Sequence, residues 1–330
     1  MTTEPSATAR TESLTRAARQ GPLFIVLNSG SGSRDAEETE SVLSRVFSAA
    51  GRPHEFLEVR DPADIASVAR RAVAQAVSRG GVAVAAGGDG TINAVAAEAV
   101  GRGCPFGVLP QGTFNYFGRV HGIPQDTEEA ARALLGARVT PTQVGRVNGR
   151  LFLVNGSIGL YPQLLEDREA SKRAHGRSRW VALWSGASTL LRSRHRMRLQ
   201  VQADEEAPET LRAATLFVGN NRLQLDRIGL DAAHVEALAE GRLAAVSIRP
   251  AGLWAMLGLA LRGALGRLGD ADPVRSFAFR RLRVAPRGLR RIKVATDGEV
   301  VWMQPPLVFE VGAEPLLLLV PRPEDRAPVA

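Results

Sequence analysis

The chain has 330 residues, of which 45% are hydrophobic and 23% charged, and this length is enough for two domains with cores of their own. Its net charge of +8 favours an anionic partner such as a nucleotide or an anionic membrane surface, while 5% aromatic residues and the lack of a long Lys/Arg run argue against nucleic acid. The single cysteine, Cys104, excludes an intrachain disulfide. The sequence has no uninterrupted apolar stretch of about 18 residues, so we predict no transmembrane helix.

The first part of the chain alternates between short apolar runs and amphipathic stretches. Residues 1–21 are rich in Thr, Ser, Ala and Arg and predict a disordered tail. Residues 22–140 predict an α/β domain in which a parallel sheet is covered by helices. The predicted strands are 23–27, 54–59, 82–86 and 106–109, and the predicted helices are about 35–50, 61–79, 92–100 and 127–135, with a short helix after residue 115.

Three loops leave the carboxyl ends of these predicted strands: Asn28–Gly32, Gly87–Thr91 and Pro110–Asn115. In an open α/β sheet such ends line one crevice, where ligands bind. The sequence therefore predicts that the three loops converge in space, although they lie far apart in the chain.

The loop Gly87-Gly-Asp-Gly-Thr91 is typical of a phosphate site. Gly87, Gly88 and Gly90 permit a positive φ and a close approach to a ligand, and the amides at the following helix start favour an anion. A lone carboxylate, Asp89, makes sense beside phosphate mainly with a divalent cation. The simpler alternative is a glycine turn in which Asp89 caps a helix.

After about residue 140 the pattern changes to short β-type runs separated by turns. This spacing predicts a β-rich antiparallel sandwich over 141–320, followed by a loose tail at 321–330. Two helical stretches, 178–194 and 253–268, combine Trp with flanking Arg and suit a membrane interface, or else pack on the sandwich. The predicted strands are 143–147, 151–155, 198–201, 215–218, 243–249, 280–285, 291–296, 300–303, 307–311 and 316–320.

A second motif, Pro110-Gln-Gly-Thr-Phe-Asn115, follows the glycine turn by about twenty residues. With Asn28-Ser-Gly-Ser-Gly32, these motifs resemble the diacylglycerol kinase catalytic family, which includes bacterial lipid kinases and sphingosine kinases. The first domain of that family is similar to those of NAD kinases and phosphofructokinases. The resemblance spans roughly residues 22–320 and returns at Asp297-Gly-Glu299.

The resemblance implies ATP-dependent phosphorylation of a lipid alcohol, with diacylglycerol as the favoured acceptor, by a cytoplasmic protein that is peripheral on the inner face of the membrane. Asp89 would help to place Mg²⁺, and Glu299 would take the proton of the attacking hydroxyl, with Asp297 beside it. The sequence Asp297-Gly298 alone also fits a plain hairpin turn. The implied nucleotide-binding residues are Asn28, Gly32, Gly87, Gly88, Asp89, Gly90, Thr91, Gly112, Thr113 and Asn115.

The chain departs from the family pattern at several positions. Tyr116 stands where the family usually has Asp, and Ala244 where a second Asp usually contributes to an accessory metal site. These changes leave open a non-catalytic lipid-binding relative. NAD kinases share the Gly-Gly-Asp-Gly turn, so an NAD kinase is an alternative interpretation of the sequence.

Overall fold

The computed structural model describes residues 7–28, 33–112, 114–163, 165–166, 197–227, 234, 236–249 and 273–328. The chain divides into two compact units, one formed by Met1–Val144 with Ala313–Ala330 and the other by Gly145–Gly312. The predicted helical stretches 178–194 and 253–268 lie outside the described residues. Within the described part of the chain, no helix has the length and apolar character needed to cross a membrane.

The first unit is built on a six-stranded sheet. Its strands are β1 (Leu23–Asn28), β2 (His54–Val59), β3 (Val82–Gly87), β4 (Phe106–Pro110), β5 (Arg138–Thr142) and β18 (Leu316–Val320), in the spatial order β2-β1-β3-β4-β18-β5. β1 to β4 and β18 pair in parallel, and β5 runs antiparallel to β18. The central strands are continuous apolar runs, as expected for parallel strands buried on both faces.

Helices connect these strands in the predicted alternation. They are α1 (Ala7–Gln20), α2 (Ser33–Ala49), α3 (Ile65–Ser78), α4 (Asp89–Ala99), α5 (Tyr116–Val120) and α6 (Thr127–Gly136), with short 3-10 helices at Pro62–Asp64 and Pro323–Asp325. The apolar face of α3 is buried as its periodicity predicts. Together with the sheet, they confirm the predicted α/β fold of the first unit.

β18 belongs to the first unit, although the sequence placed it in the second domain. Its residues Leu316–Val320 form a continuous apolar run, which is typical of a strand inside a covered sheet and not of an alternating sandwich strand. β5, which the sequence did not predict as a strand, is mostly exposed and lies at the sheet edge. The predicted domain boundaries, 22–140 and 141–320, therefore differ from the observed division at both ends.

The prediction of a disordered tail over residues 1–21 is wrong for the part that the structure describes. α1 buries Ala18, and the Oγ1 of Thr15 accepts a hydrogen bond from the amide of Val139 at 3.0 Å. Arg19 donates to the carbonyls of Gly136 and Ala137 at 2.8 and 3.2 Å. These carbonyls end α6, where the helix dipole favours a cation, and this explains why a polar segment is ordered.

The prediction of a loose tail at 321–330 is also wrong for its described residues. Arg322 donates from Nε to the carbonyl of Gly136 at 3.0 Å, so two arginines share the end of α6. Farther along, the amide of Ala327 donates to the carbonyl of Gly122 at 2.9 Å. The segment is held by these polar contacts, which its Pro- and charge-rich composition does not reveal.

The second unit contains two antiparallel six-stranded sheets, which confirms the predicted β-rich fold. One has the order β10-β9-β14-β17-β6-β7 and the other β13-β12-β11-β8-β15-β16. The strands, in chain order, are β6 (Gly145–Val147), β7 (Arg150–Phe152), β8 (Asn155–Gly159), β9 (Met197–Ala203), β10 (Glu209–Ala213), β11 (Thr215–Gly219), β12 (Leu243–Ile248), β13 (Val274–Phe279), β14 (Arg281–Pro286), β15 (Ile292–Thr296), β16 (Glu299–Met303) and β17 (Leu307–Val311), and α7 is Arg222–Arg227.

The two sheets of the second unit share one apolar core. Phe152 and Phe309 from one sheet meet residues such as Val218 and Val294 from the other in a single buried cluster. The sequence missed β8, β10 and β13; the last two lie at sheet edges and carry charged residues that obscure the alternating pattern.

We expect Arg19→Ala to lower the free energy of unfolding by about 2 kcal/mol, because two charge-assisted hydrogen bonds to the end of α6 are lost. Urea denaturation followed by circular dichroism measures this difference. Arg16→Ala is the matched control, since Arg16 is an exposed arginine on the same helix, and we expect a change within about 0.5 kcal/mol. Equal stability of the two variants would contradict the docking of α1 on α6.

We expect His121 to make the stability of the first unit depend on pH. It packs against the Phe117 ring with the ring centroids 4.9 Å apart. Burial, together with the nearby Arg326 guanidinium, lowers the pKa of His121 to about 4. The unfolded chain therefore binds a proton near pH 6.5 that the folded chain does not bind until about pH 4, so stability falls as the pH drops through this window.

We expect the free energy of unfolding of the wild type to fall by about 2 kcal/mol more than that of His121→Phe between pH 7 and pH 5. The phenylalanine keeps a ring against Phe117 but cannot bind a proton. Urea denaturation of both proteins at several pH values measures the difference. The same pH dependence in both proteins would show that the imidazole does not resist protonation.

Candidate active site

In the first unit, a side-chain hydrogen bond connects the end of β1 to the helix that follows β3. β1 and β3 are parallel neighbours, and the chain leaves both at the same edge of the sheet. Asn28 Nδ2 donates to the Oγ1 of Thr91 at 3.0 Å, and Thr91 is buried in the first turn of α4. The first and second predicted loops therefore converge as expected, although Ser29–Gly32 lies outside the described residues.

The glycines of the second loop serve close packing. A Cβ on Gly87 would lie 2.7 Å from the Oγ1 of Thr91, which leaves no room for a side chain. Gly88 is extended, with φ −80° and ψ −178°, and Gly90 lies in the first turn of α4. None of Gly87, Gly88 and Gly90 adopts the positive φ that glycine permits.

α4 begins at Asp89, three residues earlier than predicted, and runs for eleven residues. The first amides of a helix have no partner within it, and the helix dipole adds partial positive charge at this end. Gly88, the N-cap residue, contributes no side chain to cover these amides. The start of α4 can therefore receive an anion such as a phosphate group.

Asp89 connects the second loop to the third. Its Oδ2 accepts a hydrogen bond from the backbone amide of Asn115 at 3.1 Å. Asn115 is buried and left-handed, with φ 46°, and its side chain bonds both backbone groups of Gly112: Oδ1 accepts from the amide at 3.0 Å and Nδ2 donates to the carbonyl at 2.7 Å. A Cβ on Gly112 would lie 3.0 Å from the Cα of Gly88, so the two loops are in contact.

Gln125 completes this junction and was missed from the sequence. The Nδ2 of Asn115 donates to the Oε1 of Gln125 at 2.8 Å, and the Nε2 of Gln125 donates to the carbonyl of Ile123 at 2.9 Å. Gln125 lies ten residues beyond Asn115 in a segment without a motif. The available signal is chemical: a buried asparagine amide needs a second acceptor.

A cavity of about 390 Å³ opens beside the third loop. Arg119 contributes a cation to its wall, and its Nε also donates to the carbonyl of Phe114 at 2.9 Å. Thr113, predicted to bind nucleotide, lies outside the described residues. The lining residues are Thr39, Pro110, Gln111, Gly112, Asn115, Arg119, Gln125 and Thr127.

Tyr116 stands next to this junction as an aromatic residue and not a carboxylate. Its ring stacks on that of Phe114, with the centroids 5.8 Å apart and the planes at 3°. Phe114 is 46% exposed. The stacked pair therefore presents an aromatic surface beside the junction.

Asp89 is the acidic residue of the site in the first unit. Among the described residues, no group of three or more His, Cys, Asp or Glu side chains could hold a metal ion. One carboxylate, oriented by the amide of Asn115, fits Mg²⁺ bound mainly through phosphate oxygens and water, as is usual at nucleotide sites.

In the second unit, Asp297 and Gly298 form the two-residue turn between β15 and β16. Both have positive φ, 47° and 91°, as a hairpin of this length favours. The Asp297 carboxylate accepts three backbone amide hydrogens, from Leu153 at 2.6 Å and from Val154 and Asn155 at 2.9 Å each. This carboxylate therefore fixes the hairpin against the segment that precedes β8.

Glu299 is the first residue of β16, directly after this turn. Its carboxylate is 60% exposed and pairs with Arg150, whose Nη2 lies 2.6 Å from Oε2. Arg150 in turn donates from Nε to the Oγ1 of Thr296 at 2.9 Å. Glu299 is thus accessible to a ligand, while an arginine anchored on the neighbouring strand restricts its position.

The predicted residues fall into two groups. The first unit brings together Asn28, Gly87, Gly88, Asp89, Gly90, Thr91, Gly112 and Asn115. The second unit places Asp297 and Glu299 on one hairpin. Gly32 and Thr113 lie outside the described residues, so their roles stay predictions.

Comparison with known proteins identifies a family that resembles the first part of the chain. Residues 22–147 match the family model described as diacylglycerol kinase catalytic domain. The chain is 49% identical over 89 residues to a Pseudomonas aeruginosa protein named probable lipid kinase YegS-like, covering 26% of this chain and 29% of that protein. It is 31% identical over 147 residues to a Cronobacter sakazakii protein of the same name, covering 43% and 47%. The match therefore spans less than half the length of these relatives.

Solved structures extend the similarity to nearly the whole fold. A crystal structure described as a diacylglycerol kinase from Bacillus anthracis str. Sterne has a TM-score of 0.68 and 18% sequence identity, with 92% of this chain and 98% of that one covered. Identity this low shows a shared fold alone. The sequence match adds a family resemblance for one segment: residues 22–147 match the diacylglycerol kinase catalytic domain family.

Proposed function

We propose that the protein is an ATP-dependent lipid kinase that transfers the γ-phosphate of ATP to the hydroxyl of diacylglycerol, giving ADP and phosphatidic acid. The observation that carries the proposal is the junction of Asp89, Asn115 and Gly112 at the start of α4. It combines a helix N-terminus suited to phosphate with one carboxylate suited to a phosphate-bound cation.

The first unit would bind the nucleotide. The amides at the start of α4 and the cation of Arg119 on the cavity wall offer partners for phosphate oxygens. Bound Mg²⁺ would neutralise charge on the phosphates, and Asp89 would supply its protein ligand. Asn28 and Asn115 hold Thr91 and Asp89 in place, so the donors need little reordering when the nucleotide binds.

The second unit would supply the proton acceptor. The acceptor oxygen forms a bond to the γ-phosphorus while the bond from that phosphorus to the ADP oxygen breaks. The hydroxyl proton passes to the Glu299 carboxylate, which acts as general base. Arg150, 2.6 Å away, holds this carboxylate, and the Asp297 carboxylate positions the hairpin by accepting three backbone hydrogen bonds.

Diacylglycerol as acceptor is supported by the name of one relative. The chain is 41% identical over 75 residues to a Staphylococcus aureus protein named diacylglycerol kinase, of which it covers 24%.

The test is transfer of labelled γ-phosphate from ATP, with Mg²⁺, to diacylglycerol, ceramide, a sphingoid base and an isoprenoid alcohol in mixed micelles, with NAD as a water-soluble acceptor. Labelled phosphatidic acid would support the proposal. Labelled NADP, or lipid binding without ATP consumption, would contradict it.

We expect Glu299→Gln to lower kcat by at least about 100-fold while nucleotide affinity is unchanged, because the amide cannot accept the proton. Labelled-phosphate transfer measures turnover, and calorimetric titration with a non-hydrolysable ATP analogue measures affinity. Glu209→Gln is the matched control, since Glu209 is another exposed glutamate of the second unit paired with an arginine, Arg275. Unchanged turnover in Glu299→Gln would remove this residue from the reaction.

We expect Asp89→Asn to lower kcat by about 100-fold or more and to weaken Mg²⁺-dependent nucleotide binding, because the site loses its negative charge. The asparagine oxygen can still accept the amide hydrogen of Asn115, so circular dichroism should show an intact fold. Asp64→Asn is the control, because Asp64 is also at a helix start, makes no side-chain capping bond and is exposed. Equal Mg²⁺ dependence in the wild type and Asp89→Asn would contradict the assignment.

A further inference from the structure

The second unit has an exposed surface that the proposed reaction does not use. It comprises the turn between β14 and β15 and the adjacent parts of β15 and β16, and we name it the basic–aromatic edge. Its members are Arg287, Leu289, Arg290, Arg291, Lys293 and Trp302.

Two large apolar side chains are exposed on this edge. Leu289, in the turn, is 47% exposed, and Trp302 is 55% exposed. Trp302 lies on β16, the edge strand of its sheet, directly opposite Lys293 on β15. The exposed parts of these two side chains remain in water in the isolated chain, so they are available for contact with another apolar phase.

Cations surround the exposed indole. The guanidinium carbon of Arg291 lies 5.7 Å from the ring centroid of Trp302, and the Nζ of Lys293 lies 5.3 Å from it. Lys293 pairs with Glu166 at 2.6 Å. Arg287, Arg290 and Arg291 form no ion pair with any described residue, so the edge has an excess of positive charge.

The positive charge continues onto the neighbouring sheet. Arg198 on β9 and Arg212 on β10 stand directly opposite each other, and both are exposed. The amide of Arg287 donates to the carbonyl of Arg198 at 2.9 Å, which connects this pair to the edge. Like charges opposite each other destabilise a strand pair, and an anionic partner would relieve that repulsion.

We infer that the basic–aromatic edge docks on an anionic lipid bilayer. The arginines would contact headgroup phosphates, while Leu289 and the indole of Trp302 would enter the interfacial region, where tryptophan is favoured. An exposed leucine in the turn has no role on a nucleic acid backbone. A symmetric contact with a second copy would place the same arginines against each other. Charge and apolar exposure together therefore favour a bilayer.

The experiment is co-sedimentation of the full chain with vesicles of phosphatidylcholine alone or mixed with phosphatidylglycerol, without ATP and at two salt concentrations. Because no turnover is measured, failure of docking and failure of the proposed reaction are separate results. We expect binding to mixed vesicles that weakens with salt, and much weaker binding to phosphatidylcholine alone.

Two variants separate the charged and apolar contributions. The first variant combines Arg287→Ala, Arg290→Ala and Arg291→Ala. It should weaken binding to mixed vesicles by about fivefold per arginine, roughly 100-fold in all, and reduce the dependence of binding on salt. Leu289→Ser with Trp302→Ser should weaken binding at high salt as well. The matched control combines Arg71→Ala with Val77→Ser, an exposed arginine and an exposed apolar residue on α3, and should bind as the wild type does.

Several results would overturn the inference. The wild type could fail to bind mixed vesicles, or both edge variants could bind them as tightly as the wild type. Tighter binding to a DNA duplex than to mixed vesicles, lost in the arginine variant, would identify a nucleic acid surface instead. Self-association in sedimentation velocity that both edge variants abolish, without vesicle binding, would identify a contact between copies.

Discussion

The candidate site of the first unit depends on one buried residue, Asn115. Its left-handed backbone turns the backbone N–H toward Asp89, while its side-chain amide closes a ring of hydrogen bonds with Gly112. Asparagine suits this position because it tolerates the left-handed region and carries both a donor and an acceptor. The carboxylate, the glycine contact and the start of α4 are thereby fixed relative to one another before any ligand arrives.

The second unit uses the same principle, with an aspartate side chain at the centre of the hydrogen bonds. There a buried backbone segment provides amide donors, and the Asp297 carboxylate gathers three of them. Asp297, which the motif suggests as the second acid of a catalytic pair, thus has a structural role. Glu299, two positions later, remains exposed. Spacing in a motif cannot separate these two roles, because both residues lie on one hairpin and only their hydrogen bonds differ.

The sequence predicts the repetitive parts of the fold well and the polar contacts poorly. Continuous apolar runs located β1, β3 and β4, and glycine motifs located the loops that converge on Asp89, because these features depend on local periodicity. The docking of α1 depends on Arg19 meeting the end of α6, and the closing of the junction depends on Gln125. Both are contacts between segments far apart in the chain or outside any motif, so no local pattern records them.

The insertion of β18 between β4 and β5 has a consequence for how the protein is made. During synthesis, β4 and β5 leave the ribosome long before residues 316–320, and the whole second unit is translated in between. Until β18 is synthesised, the sheet of the first unit lacks the strand between β4 and β5. The second unit therefore has the opportunity to fold first. The segment that carries the family signature, 22–147, is consequently not a free-standing folding unit, and a fragment cut at its boundary would expose the unpaired side of β4 to aggregation.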